Sequence, residues 1–322
     1  MLTIVFDFSL LSYPYGLRRC TNQLIYLALA AEKIGCDVRA VTSQRHLAEH
    51  PCMNKIKRLW QFAYGNPDIY IAKADAFYRD RNWLKISGLD AFKVCLCNSD
   101  YCFRESNKRY LQHKGTPVQI RCDLYMPCNY TKSLLDEWGY KVVPAAHPID
   151  VRMFALFEEL GLVDAYITDD VDMIRSSFDV VETRMAGFMG ASRPHDTRWN
   201  VRDEFPAWVD LNWTRTDSSI NYINWILERR GVIDLRGNGD KSMRFSEAAL
   251  FGRTIITKRL LSEYNPKLVN NHNCIVVDEW SEIDDRFDLQ VWRKLANQAT
   301  LDYKCGWSMK SMIETVLEKS RA

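Results

Sequence analysis

Residues 231–277, GVIDLRGNGDKSMRFSEAALFGRTIITKRLLSEYNPKLVNNHNCIVV, decide how this chain is read. The stretch predicts a short strand, a Gly-rich turn carrying Lys241, and a helix opening with Arg244 and Glu247. A β-branched strand over Thr254 to Thr257 follows, then another helix and another strand. A helix N-terminus behind a glycine turn presents unbonded N–H groups and the positive end of its dipole, which suits an anion. Arg244 and Glu247 are three residues apart and share one helical face. A cation for a diphosphate beside a carboxylate for two ribose hydroxyls is the pairing a nucleotide sugar requires. The same spacing also describes an ordinary solvated ion pair worth a few tenths of a kcal/mol.

Outward from that stretch, the first half of the chain alternates strands and helices. Strand Leu2–Phe8 leads through a loop with Pro14 and Gly16 to a helix near Thr21–Ile34, where Leu24, Leu27, Ala28, Ala31 and Ile34 form one stripe. Gly35 ends that helix and Asp37–Thr42 is the second strand. Further strands are expected at Ile69–Ala72, Phe92–Cys97, Val118–Arg121 and Lys141–Val143. Around Asp164–Thr183 the pattern becomes irregular and marks a junction. A second set follows, with strands at Met185–Met189, Trp208–Leu211 and Val232–Leu235 around a helix at Ser219–Arg229. Helices near Leu289–Ala299 and Ser308–Glu318 close the chain. The expected class is α/β, with two Rossmann-like domains facing an interdomain cleft. Residues 1–178 would bind the acceptor and 179–322 the nucleotide sugar.

The 322 residues suffice for two domains of ordinary size, and 47% hydrophobic with 26% charged residues is a globular composition. The opening MLTIVFDFSLL has no basic leader and carries Asp7 inside its apolar run, so it is expected to be a first strand of a cytoplasmic protein. No apolar run approaches a membrane span. Ten cysteines read as reduced thiols, and the cluster Cys95, Cys97 and Cys102 fits no common zinc spacing. Charge is unevenly placed. Residues 1–130 hold 18 Lys and Arg against 11 Asp and Glu, a net of +7, while the remainder holds 25 against 30, a net of −5, together the chain's +2. A basic half studded with aromatics, as in YRDRNW and FRESNKRY, suits an acidic partner such as nucleic acid or an anionic lipid, and is equally an ordinary basic surface.

Several residues could carry chemistry. Strand Met185–Met189 runs into GASRPHDTRWNVR (190–202), where a small-residue turn with Ser192, then Arg198 and Arg202, would join Lys241 and Arg244 around a leaving diphosphate. Asp123, in VQIRCDLYMP, lies just past an expected strand end and could deprotonate an acceptor hydroxyl. Asp100, ending KVCLCNSD, is the rival base, and both residues are also ordinary turn or cap types. His147 follows another strand. Asp170 and Asp172 after YIT form an Asp-x-Asp pattern that could hold a divalent ion, although caps of this kind are common. A metal is therefore admitted but not required.

Five stretches in order carry a resemblance: NQLIYLALAAEKIGCDVRAVTS (22–43), KVCLCNSD (93–100), PVQIRCDLYMP (117–127), GASRPHDTR (190–198) and KSMRFSEAALFGRTIIT (241–257). Together they resemble the two-Rossmann (GT-B) glycosyltransferases, and most closely the DNA β-glucosyltransferases of T-even phages. The resemblance implies a UDP-sugar donor, UDP-glucose first, and an acceptor of 5-hydroxymethylcytosine in double-stranded DNA. It puts the base at Asp123, phosphate contacts at Ser192 and Arg198, a diphosphate contact at Arg244 and a ribose contact at Glu247. Gln23 stands where those enzymes have an acidic sugar contact, and with Gly16 and His147 it is a candidate for touching sugar or acceptor. An inverting transfer from an Asp base is expected, with the base of a duplex extruded into the site. The alternatives are a polysaccharide or lipid-linked-sugar transferase of the same fold, an epimerase using His147, and a non-catalytic nucleic-acid-binding protein. The oligomeric state is left open.

Overall fold

The computed structural model describes residues 1–9, 16–42, 56–61, 63–73, 76–77, 80–97, 112–113, 116–117, 121–128, 142–145, 147–149, 151–189, 199–212, 218–235, 243–258 and 265–322. They form two units, Met1–Val151 with Met309–Ala322, and Arg152–Ser308.

The first unit is built on a six-stranded parallel sheet in the order β3-β2-β1-β4-β5-β8. Its strands are β1 (Thr3–Asp7), β2 (Asp37–Val41), β3 (Trp60–Gln61), β4 (Ile69–Lys73), β5 (Phe92–Cys97) and β8 (Leu124–Pro127). A two-residue hairpin, β6 (Gln112–His113) with β7 (Thr116–Pro117), stands apart from it. Strands buried on both faces read as continuous apolar runs, and IVF, IYIA and VCL do so here. Val5, Tyr70, Cys95 and Tyr125 fill one core with Phe77 and Ile86. Helix α1 (Gly16–Lys33) packs on β1 and β2, with Leu24, Leu27, Ala28 and Ala31 buried. Helix α2 is Asp80–Ile86.

The second unit opens with α3 (Val151–Glu159), α4 (Val163–Thr168) and α5 (Val171–Ser176). Its five-stranded parallel sheet runs β10-β9-β11-β12-β13. The strands are β9 (Arg184–Met189), β10 (Asp210–Asn212), β11 (Arg229–Asp234), β12 (Thr254–Lys258) and β13 (Ile275–Val277). Helices α6 (Ser219–Leu227), α7 (Met243–Leu250) and α8 (Leu289–Asp302) belong to the same unit, whereas α9 (Met309–Ser320) returns to the first and packs along α1. Trp292 of α8 reaches the sheet at Gly231, where an added Cβ would lie 2.9 Å from the indole. At Gly252, φ +65° after α7 turns the chain into β12.

The structure differs from three expectations. The junction lies at Val151/Arg152 rather than near 178, because α3 to α5 pack into the second unit: Arg175 donates to the carbonyls of Leu250 and Ala249 and to Thr300 Oγ1 at 2.9, 3.0 and 2.7 Å. The irregular stretch 164–183 holds two short helices, separated by Asp169 at φ 64°, that are too brief to show a period. Of the strand expected at Val118–Arg121, residues 118–120 lie outside the described residues, and β8 is Leu124–Pro127, four buried residues without a β-branched side chain. The helix expected at Ser219–Arg229 stops at Leu227, and Arg229 begins β11. Of the connection between β12 and β13, residues 265–274 contain no helix and 259–264 lie outside the described residues.

Candidate functional site

In parallel sheets the strand ends that carry ligands are the C-terminal ones. In the second unit β9 ends at Met189 and β11 at Asp234, and α7 begins nine residues after Asp234. The Arg244 guanidinium lies over the Phe188 ring, 4.6 Å from its centroid. Its Nε and Nη2 donate to the Met189 carbonyl at 3.1 and 2.7 Å, and Nη1 is 3.9 Å from Asp234 Oδ1. The planar fork is thereby fixed across the ends of two strands, with 14% of the side chain exposed. One turn along the same helical face, Glu247 is 2% exposed and accepts a 2.7 Å hydrogen bond from the Tyr222 hydroxyl. Tyr222 stands on α6, whose first turn is capped by Ser218 accepting from Asn221 N. Burial, then the Glu247 charge, raises the Tyr222 phenol well above its ordinary pKa, so it stays a donor. The arrangement holds a cation and a carboxylate side by side at the opening of α7, the chemistry a nucleoside diphosphate matches.

The structure separates the other candidates. Ser192, Arg198, Lys241 and Asp100 lie outside the described residues, and of Arg202 only the backbone is described, in the 3-10 segment Trp199–Glu204. Asp100 follows the last residue of β5, Cys97, by three positions, which puts its chain position past a C-terminal strand end. Asp123 stands just before β8, and its carboxylate accepts from Lys93 N at 2.7 Å, at the start of β5. At about 3.3 Å per residue that is roughly 13 Å from the C-terminal end of β5. The residues 118–120 that precede it in the expected strand lie outside the described residues.

Gln23, expected as a sugar or acceptor contact, lies on α1. It is fully buried, accepting from Lys73 Nζ at 3.2 Å and donating to Cys128 Sγ at 3.9 Å, because it falls on the inward stripe of α1. Gly16 is the first residue of α1. His147 is half-buried and follows a segment that runs beside β8, with Ala145 N donating to the Pro127 carbonyl at 2.9 Å, so it leaves the first sheet at the C-terminal edge. Asp170 is the N-cap of α5, accepting from Met173 N at 3.1 Å, and Asp172 sits in that helix's first turn. The segment YIT before them is the end of α4 rather than a strand, which removes the geometry of a strand-exit metal pair. Among the described residues no three His, Cys, Asp or Glu side chains gather as a metal site, and no helix is long and apolar enough to cross a membrane.

Three polar residues whose hydrogen bonds lie near strand ends or beside α7 were not singled out in the sequence. Tyr222 is one, since a tyrosine on an amphipathic helix carries no signal. Asp7, ending β1 at 1% exposed, accepts from Ser9 N and Oγ at 2.7 and 2.6 Å and from the Tyr64 and Tyr70 hydroxyls at 2.9 and 2.6 Å. Lys73, ending β4, is 7% exposed beside Gln23. The signal for both was a charged residue closing an apolar strand.

No family model and no curated protein matches the chain. Solved structures do. A glycosyltransferase from Rickettsia africae is 11% identical, with a TM-score of 0.57 over 99% of this chain and 98% of its own. HepE from Anabaena, solved with UDP-glucose, is 11% identical, with a TM-score of 0.52 over 99% of this chain and 100% of its own. The catalytic domain of starch synthase IV from Arabidopsis thaliana, bound to ADP and acarbose, is 10% identical, with a TM-score of 0.52 over 100% and 99%. Near-complete coverage of both chains with two parallel-sheet α/β domains gives this protein the GT-B fold.

Proposed function

We propose that the protein is a glycosyltransferase that moves a glucose-like sugar from a UDP-sugar to a hydroxyl, with inversion. The observation that carries the donor half is the pairing at the opening of α7, with Arg244 anchored on the Met189 carbonyl and Glu247 buried three residues on. Arg244 faces the departing diphosphate, aided by Ser192, Arg198, Arg202 and Lys241, and Glu247 accepts from the ribose hydroxyls. Support for the donor class comes from the solved neighbours, since HepE was crystallised with UDP-glucose. Asp100 becomes the first choice of base, on its chain position past β5. It takes the acceptor's proton, the freed oxygen bonds to the anomeric carbon, and the carbon–oxygen bond to UDP breaks with its electron pair leaving on the diphosphate. Preorganised cations there stabilise the charge that develops.

The acceptor we propose is the hydroxymethyl group of a modified pyrimidine in double-stranded phage DNA. The five stretches that resemble the phage enzymes and the +7 charge of residues 1–130 support it. A polysaccharide acceptor is the second reading, favoured by the likeness to starch synthase IV, whose structure holds acarbose. The test is transfer of labelled glucose from UDP-glucose to hydroxymethylated duplex DNA, unmodified duplex and an α-glucan. Transfer to the modified duplex alone is expected, lowered at least about 100-fold by Asp100→Asn and kept within about twofold by Asp123→Asn. Transfer to the glucan alone favours the second reading. DNA binding without transfer to any acceptor would overturn both in favour of a non-catalytic role.

A further inference from the structure

The Tyr222 hydroxyl meets Glu247 at 2.7 Å, from a different helix, beneath the opening of α7. A carboxylate on a helix has rotational freedom about three side-chain bonds, and it reads a vicinal diol only when its plane is fixed. Burial at 2% confines Glu247, and the tyrosine hydroxyl, reaching it from another helix, is a group that holds its direction. Tyr222 is itself steadied by lying parallel to the Trp225 ring, at 6.4 Å between centroids and 6° between planes. Its hydroxyl stays protonated through alkaline pH, because burial and the neighbouring charge both oppose ionisation.

We infer that Tyr222 is a positioning residue that orients Glu247 and so sets how strongly the protein prefers a ribonucleotide to a nucleotide lacking both ribose hydroxyls. The inference rests on the reading of Glu247 as the ribose group, and it adds a residue and a selectivity which that reading does not contain.

The experiment compares calorimetric affinities for UDP and for 2′,3′-dideoxyuridine diphosphate in the 322-residue wild-type chain, Tyr222→Phe and Glu247→Gln. Phenylalanine keeps the ring and its packing, and a thermal melt reports whether the variant folds. Wild type should prefer UDP. Tyr222→Phe should lower UDP affinity about tenfold, the effect of one hydrogen bond to a charged group, and leave the dideoxy compound within about twofold. A merely structural role would lower both affinities together and leave their ratio unchanged, and that result would overturn the inference. If wild type binds UDP with no preference over the dideoxy compound, the reading of Glu247 fails and the inference with it. If the preference is present and lost in Glu247→Gln but retained in Tyr222→Phe, the inference fails alone.

Discussion

Asp7 shows what a single residue does for the first unit. Its two oxygens accept four hydrogen bonds, two from Ser9 and two from the Tyr64 and Tyr70 hydroxyls, so the exit of β1 is tied to β4. Tyr64 and Tyr70 also meet edge to face, with centroids 5.6 Å apart. Asp7→Ala would leave the buried Tyr70 phenol and the half-buried Tyr64 phenol without their acceptor, and we expect a loss of about 3 kcal/mol in the urea unfolding of the first unit. An unchanged midpoint would mean that the network contributes nothing net. Both phenols are raised above the ordinary value of 10.0, by burial first and by the Asp7 charge next. The native state therefore retains protons that the unfolded state releases above about pH 10, and stability falls as pH rises past that point. At this scale the sequence was only partly legible. Arg244 and Glu247 were paired by their spacing, and the structure places both on the first turns of α7. For Asp123, nothing local to VQIRCDLYMP tells that a strand, β8, begins one residue after the aspartate. Its partner, Lys93 N, is thirty residues away.

Elements with strong periods or long apolar runs were readable: β5 and the cores of β1, β2, β4, β9 and β12 fall where periodicity and β-branching put them. Those that escaped were short or owed their form to distant neighbours. Helices α4 and α5 have six residues each, less than two turns, and are held by contacts such as the edge-to-face pair Phe154–Tyr166 for α4 and the Arg175 hydrogen bond to the Leu250 carbonyl for α5. Strand β11 shows how an element is specified by what covers it. Gly231 lies between Ile256 Cδ1 and Trp292 Cζ3, each 2.9 Å from where a Cβ would stand. Gly231→Ala, a gain in strand propensity on paper, should cost roughly 1–3 kcal/mol by pushing α8 off the sheet. Chemical denaturation measures it, and a variant as stable as the wild type would show that Trp292 repacks freely.

The whole molecule is two α/β units joined by two crossings, at Val151/Arg152 and Ser308/Met309. The class of fold was legible because strand–helix alternation repeats along the chain. The boundary was not, since it depends on α3 to α5 choosing the second sheet and on α9 returning to α1. Neither choice leaves a mark in local composition. Burial explains the thiols in the same terms: Cys95, Cys128 and Cys274 are core residues, and burial with the Asp302 charge pushes Cys274 up to about 12. The central claim is that the second unit binds a UDP-sugar at the opening of α7. Calorimetric titration of UDP into wild type and Arg244→Ala tests it most directly. We predict saturable binding by wild type and a loss of at least about tenfold in the variant at unchanged thermal stability. Equal affinity in the two proteins, or no binding by wild type, would contradict it.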